Sequence, residues 1–90
     1  MVKIKIPTPL RKFTQDKGEV DAEGATVKEV IDNLEKKHPG IKQRLCDESG
    51  SIRKYINIYV GEDDIRFLQG KNTKLEGKKE ITIVPAIAGG

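Results

Sequence analysis

The residues of this chain whose types could do chemistry are few, and the most suggestive pair stands at its end. Gly89 and Gly90 close the run Glu80 to Gly90 (EITIVPAIAGG). A carboxylate carried on two glycines has no neighbouring side-chain bulk, so it can enter a narrow slot in another protein. Ahead of it, Glu80-Ile81-Thr82-Ile83-Val84 alternates polar and β-branched residues, which predicts a strand. Pro85 has no N–H for a sheet ladder, so pairing is expected to weaken or stop there. The six residues from Pro85 to Gly90, if extended, reach roughly 20 Å. Two glycines alone say little, because frayed termini are rich in small residues. A strand, one proline, a short apolar spacer and then the glycines say more: the chain is expected to use its own C-terminus as the reactive group.

The other candidate groups lack companions. Cys46 is the single cysteine, so no intrachain disulfide can form, which fits a reducing interior. With no CxxC partner it reads as a small packed residue rather than a nucleophile. His38, also alone, precedes Pro39-Gly40 at a predicted helix end, where a cation suits the helix dipole. Glu62-Asp63-Asp64 lacks the spacing of a calcium loop and reads as an acidic turn. No metal site is expected, and no Ser/His/Asp or Cys/His constellation for catalysis is present.

The elements that must carry this end follow from patterning. In 90 residues, 34% are charged and 36% hydrophobic, with two Phe, two Tyr and no Trp. That composition predicts one domain with a core of Ile, Val and Leu. The net charge is +3, with Lys and Glu interspersed, so no nucleic-acid partner is expected. No apolar run approaches a membrane span and no signal-peptide pattern opens the chain, so a cytoplasmic protein with no membrane partner is expected.

Val2-Lys3-Ile4-Lys5-Ile6 alternates as a half-buried strand, ended by Pro7 and Pro9, with Leu10 and Phe13 as a lid over one end of the core. Gln15 to Gly18 reads as a turn and Glu19 to Ala22 as a second strand. Thr26 to His38 is the helix: Thr26 and Glu29 have capping-box spacing, and Val27, Val30, Ile31 and Leu34 make one apolar stripe. Ile41 and Leu45 suggest a further helical turn. Tyr55 to Val60 predicts a strand with Ile56, Ile58 and Val60 inward and Tyr55, Asn57 and Tyr59 on the other face. Ile65-Arg66-Phe67-Leu68 is expected as another short strand, and Leu75 as an inward residue before the last one. One stripe implies one sheet beneath it, so the class is α+β: a helix across one face of a mixed sheet of four to five strands. The first and last strands are expected to be central and adjacent. Residues 1–84 make the domain and 85–90 a flexible tail.

With these segments in order, the chain resembles the ubiquitin-like (β-grasp) sulfur carriers of the MoaD/ThiS type along essentially its whole length. The resemblance is carried by Gly24-Ala25-Thr26-Val27 with Val30 to Leu34, by Asn57-Ile58-Tyr59-Val60, by Leu75, Gly77 and Glu80 to Pro85, and by Gly89-Gly90. It is closest to the CysO-like subgroup of cysteine biosynthesis. The carrying segments there are Ile6 to Arg11 (IPTPLR), Ile56 to Phe67 (INIYVGEDDIRF) and the ending Pro85 to Gly90. Lys78-Lys79 departs from the acidic residue the family often has after Gly77.

The resemblance implies a β-grasp fold and a carrier that is not itself an enzyme and binds no cofactor. An E1-like adenylyltransferase would use ATP and Mg²⁺ to adenylate the Gly90 carboxylate, and a persulfide sulfur would displace AMP to leave a thiocarboxylate. The acceptor would be a sulfur-accepting synthase, in the CysO-like case a PLP-dependent cysteine synthase, and a metallopeptidase would then release cysteine. Gly90 carries the sulfur, Gly89 stays small to pass the enzyme's channel, and Ala88, Ile87 and Pro85 guide the tail. Tyr59, Arg66 and Phe67 are assigned to the partner-facing patch, on short strands near the tail's exit. Three further readings stay open: the small subunit of molybdopterin synthase or a thiamine-type carrier, a protein modifier conjugated through Gly90, and a non-conjugating interaction module.

Overall fold

The computed structural model describes residues 1–77 and 80–85. Five strands form one sheet: β1 (Val2–Lys5), β2 (Glu19–Ala22), β3 (Ile56–Val60), β4 (Asp63–Asp64) and β5 (Glu80–Pro85). Their order across it is β2-β1-β5-β3-β4. Only the β1–β5 pair is parallel among these strands, with Ile4 beside Ile81. The first and last strands are therefore central and adjacent, as the alternation predicts.

Helix α1 (Val27–Lys37) lies on the face where Ile4, Ile58, Val60, Ile81 and Ile83 are buried, and it buries Val27, Val30, Ile31 and Leu34 against them. Each aliphatic side chain so buried contributes about 1.5–3 kcal/mol. The helix starts as its capping pair requires, with one shift of detail. The Thr26 side chain accepts the Glu29 N–H at 3.2 Å, but the Glu29 carboxylate reaches back to the N–H of Ala25, not Thr26. The same end is tied to the loop before β5, where Leu75 N–H donates to Ala25 O and Val27 N–H to Thr73 O. A short second helix, α2 (Ile41–Leu45), follows Gly40, whose φ of 101° is left-handed. The Glu35 carboxylate accepts the N–H groups of Gly40 and Lys42 and so fixes the angle between the two helices.

Leu10 is buried and Phe13 packs against the core from a 3-10 helix, Thr8–Phe13, which forms the expected lid. At the outer edge, Lys37 Nζ donates to Asp21 O at 3.0 Å and Asn33 Nδ2 to Glu23 O at 2.7 Å. Side chains of α1 thus occupy carbonyls at the β2 edge that could otherwise recruit another strand.

Two local expectations are corrected. Asp63 and Asp64 form the edge strand β4, opposite Val60 and Tyr59, rather than an acidic turn. Ile65 to Phe67 is a single turn of 3-10 helix, not a strand. The cause is Asp64, whose carboxylate accepts the Arg66 N–H at 2.9 Å and draws the backbone into a turn in place of a ladder.

Gly24 sits where the chain leaves β2 for α1, and a Cβ there would fall 2.7 Å from both the backbone N and Cγ2 of Val30. Gly24→Ala is expected to lower stability by about 1–3 kcal/mol, read as a drop in the urea midpoint. An unchanged midpoint would contradict the close approach of strand exit and helix.

Candidate functional site

Because its alternating residues must bury one face, β5 is held on both sides. Ile81 and Ile83 point into the core, while Glu80, Thr82 and Val84 lie on the opposite face. Lys5 Nζ lies 3.2 Å from the Glu80 carboxylate across the β1–β5 pair. Pro85 is the last residue of β5 and stands opposite Ile56, where its missing N–H ends the ladder. The direction of the chain up to Pro85 is therefore set at the middle of the sheet. The remaining tail residues assigned a role, Ile87, Ala88, Gly89 and Gly90, lie outside the described residues.

Of the three other assigned residues, Tyr59 falls on the helix-free face with Arg66 near it. Tyr59 of β3 points away from α1 and stands opposite Thr82 on one side and Asp64 on the other. Arg66 Nη2 lies 3.0 Å from Asp64 Oδ2, and Arg66 Nε approaches both carboxylate oxygens at 3.3–3.4 Å. The structure thus brings Tyr59, Asp64 and Arg66 together. Phe67 follows in the same 3-10 turn and is 85% exposed, with Leu68 behind it at 46%. An aromatic ring held this far into solvent on a short, capped turn is unusual for a residue type that is normally buried.

The position of this patch corrects one expectation. Arg66 and Phe67 stand on a turn rather than a strand, and Tyr59 pairs with Thr82, three residues before Pro85. That places Tyr59 about 10 Å from the end of β5, beside the strand rather than at its exit. Pattern reading also missed Asp64, Thr82 and Val84. Thr82 and Val84 carry the outward half of the β5 alternation and could have been named with Tyr59. For Asp64, the Asp-Ile-Arg spacing of a side-chain-capped turn was the available signal.

Among the described residues, no group of three or more His, Cys, Asp or Glu side chains could hold a metal, and no helix is long and apolar enough to cross a membrane. Asp64 is held below the usual carboxylate range, first by the guanidinium of Arg66 and then by its backbone N–H. It is therefore an anion at neutral pH, committed to Arg66. Cys46, at the C-terminal cap of α2, is buried, and that burial pushes its thiol up in spite of Lys42 and Lys71 nearby.

With this geometry in place, the chain can be set beside known proteins. The model of the ThiS family matches residues 4–90. The chain belongs to the ThiS family. It is 42% identical over 91 residues to the sulfur carrier protein CysO of Mycobacterium tuberculosis, covering 99% of this chain and 98% of that one. A chain in the crystal structure of the Amycolatopsis orientalis BexX/CysO complex superposes with a TM-score of 0.92 at 43% identity, each covered to 100%. The small archaeal modifier protein 1 of Methanosarcina acetivorans matches with a TM-score of 0.81 at 32% identity, covering 99% of this chain and 95% of that one. The ThiS-family membership and these likenesses establish the β-grasp fold and support a sulfur-carrier role.

The Cys46 thiol has a direct test. Because burial disfavours its thiolate, alkylation by iodoacetamide at mildly alkaline pH is expected to be at least about tenfold slower in the folded chain than in urea. Equal rates in the two states would mean an accessible, ionised thiol and would reopen its role.

Proposed function

We propose that this chain is a sulfur carrier whose Gly90 carboxylate is the cargo site and that it serves cysteine biosynthesis. A carboxylate resists attack at its carbon until one oxygen becomes a leaving group. An E1-like adenylyltransferase, using ATP and Mg²⁺, would join a Gly90 oxygen to the α-phosphorus of ATP and expel pyrophosphate. The terminal sulfur of a persulfide would then attack the acyl carbon and expel AMP. Cleavage of the resulting S–S bond by a thiol leaves a thiocarboxylate, whose sulfur is nucleophilic near neutral pH. A PLP-dependent synthase would take up that sulfur, and a metallopeptidase would release the product.

The catalytic groups belong to those partners, and this chain acts as their protein co-substrate. Its own residues contribute shape. Gly89 keeps the tail thin enough for a channel, while Ala88, Ile87 and Pro85 guide it. Tyr59, Arg66 and Phe67 form the face against which the E1-like enzyme docks. Tyr59 of that face stands opposite Thr82 of β5, so docking there would hold the enzyme a fixed number of strand residues from Pro85. The observation that carries the reading is the family match running through Gly89-Gly90 together with whole-length identity to CysO. The structure of a CysO complexed with BexX adds a precedent for a protein partner in the subgroup.

A second reading is favoured by the likeness to the small archaeal modifier protein 1: conjugation through Gly90 to lysines of other proteins. It predicts Gly90-dependent, slow-migrating conjugates in cells. The carrier reading predicts a free thiocarboxylate.

Incubation with ATP, an E1-like adenylating enzyme from the same organism and a sulfur donor should raise the intact mass by the exchange of one oxygen for sulfur. No such gain would contradict the carrier reading. Gly89→Val should abolish adenylation while leaving the urea midpoint unchanged. Normal adenylation of that variant would remove the steric role of Gly89.

A further inference from the structure

We infer that Asp64 is a positioning residue for partner docking, presetting Arg66 and Phe67 before the E1-like enzyme arrives. The inference rests on the reading that this face is where that enzyme docks. Its starting point is the environment of Asp64, a carboxylate only 8% exposed at the edge of the sheet. Burying a carboxylate is costly unless it is paired and hydrogen-bonded, and Asp64 is both. One oxygen accepts the Arg66 backbone N–H at 2.9 Å, and the other faces Arg66 Nη2 at 3.0 Å.

These two contacts do different things. The backbone contact caps the 3-10 helix Ile65–Phe67 and so fixes the turn from which Phe67 projects. The side-chain contact holds the guanidinium, which is itself 59% exposed, beside Tyr59. Beneath them, Ile65 is 2% exposed and anchors the turn to the core. One buried anion therefore orients two exposed groups of the types most often found as anchors at protein interfaces, an arginine and an aromatic. Such groups bind more tightly when ordering does not have to be supplied at the moment of association.

Charge points to the kind of surface that would meet them. Asp64 neutralises Arg66 only in part, because the outer side of the guanidinium remains in solvent. The fitting partner surface is an apolar pocket for the Phe67 ring with a carbonyl or carboxylate at its rim for Arg66.

The test is the Kd for the E1-like adenylating enzyme, measured by calorimetry, with the urea midpoint of each variant recorded alongside. Phe67→Ala is expected to weaken binding on the order of tenfold. Asp64→Ala, which loses both contacts, is expected to weaken it about fivefold. Asp64→Asn should weaken it less, because an amide oxygen can still cap the turn. In the Arg66→Ala/Phe67→Ala background, Asp64→Ala should change Kd by less than about twofold, since nothing remains for it to position.

A merely structural role would not produce that loss of effect. The inference is overturned if Asp64→Ala binds like the wild type, or if its penalty persists undiminished in the double-variant background. Should Asp64→Ala fail to fold, Asp64→Asn carries the same test: its penalty must vanish when Arg66→Ala is already present. If neither Phe67→Ala nor Arg66→Ala weakens binding, the docking reading fails and the inference falls with it.

Discussion

The parallel pairing of β1 with β5 is the constraint on which the rest of the structure depends. It joins the first strand of the chain to the last, with Ile4 beside Ile81. Parallel neighbours need a long crossover between them, and here everything from the lid through β4 occupies that connection. Antiparallel pairing with β3 closes the other side of β5 over five register positions, from Val60 opposite Ile81 to Ile56 opposite Pro85. A strand paired on both sides and buried on one face cannot slip by one residue without turning Ile81 and Ile83 to solvent. The position and direction of Pro85 are therefore as well determined as the core itself.

From that constraint the two faces of the sheet take separate work. The α1 face is closed by Val27, Val30, Ile31 and Leu34 and is spent on stability. The opposite face carries the cross-strand ion pairs Lys3–Glu19 and Lys5–Glu80 on one half, and Tyr59, Thr82, Val84 and the Asp64–Arg66 pair on the other. Exposed ion pairs of the first kind contribute little to stability, and they leave the charged half hydrated. The half with Tyr59, Thr82 and Val84 carries one ion pair in place of two, and Phe67, 85% exposed, follows its Arg66 in the chain. This division gives the sheet an asymmetric surface for a partner to recognise.

Much of this was legible in the residues themselves. The alternation in β1, β3 and β5, the Thr26–Glu29 cap and the single helical stripe all point to one arrangement, because each is a repeated signal over several residues. The short elements were not legible in the same way. β4 has two residues, too few for a period, and its pairing depends on a partner strand distant in pattern if not in sequence. Ile65 to Leu68 carries apolar and polar residues that fit a strand. One carboxylate at position 64 decides in favour of a turn, and that choice throws Phe67 outward instead of in. The capping contact of Glu29 to Ala25 rather than Thr26 is a difference of one residue that only the backbone geometry resolves. Of the functional site, the terminal residues were read from the glycine ending and the family resemblance, whereas Asp64 stands out only through its contacts.

The account's central claim is that a rigid sheet presents a terminal carboxylate for others to activate and load with sulfur. The most direct measurement is sulfur delivery to the acceptor synthase in a reconstituted system, comparing the full chain with one ending at Ala88. The account predicts product with the full chain and none with the shortened one, at equal stability of the two. Product formed at the same rate by the shortened chain would contradict it.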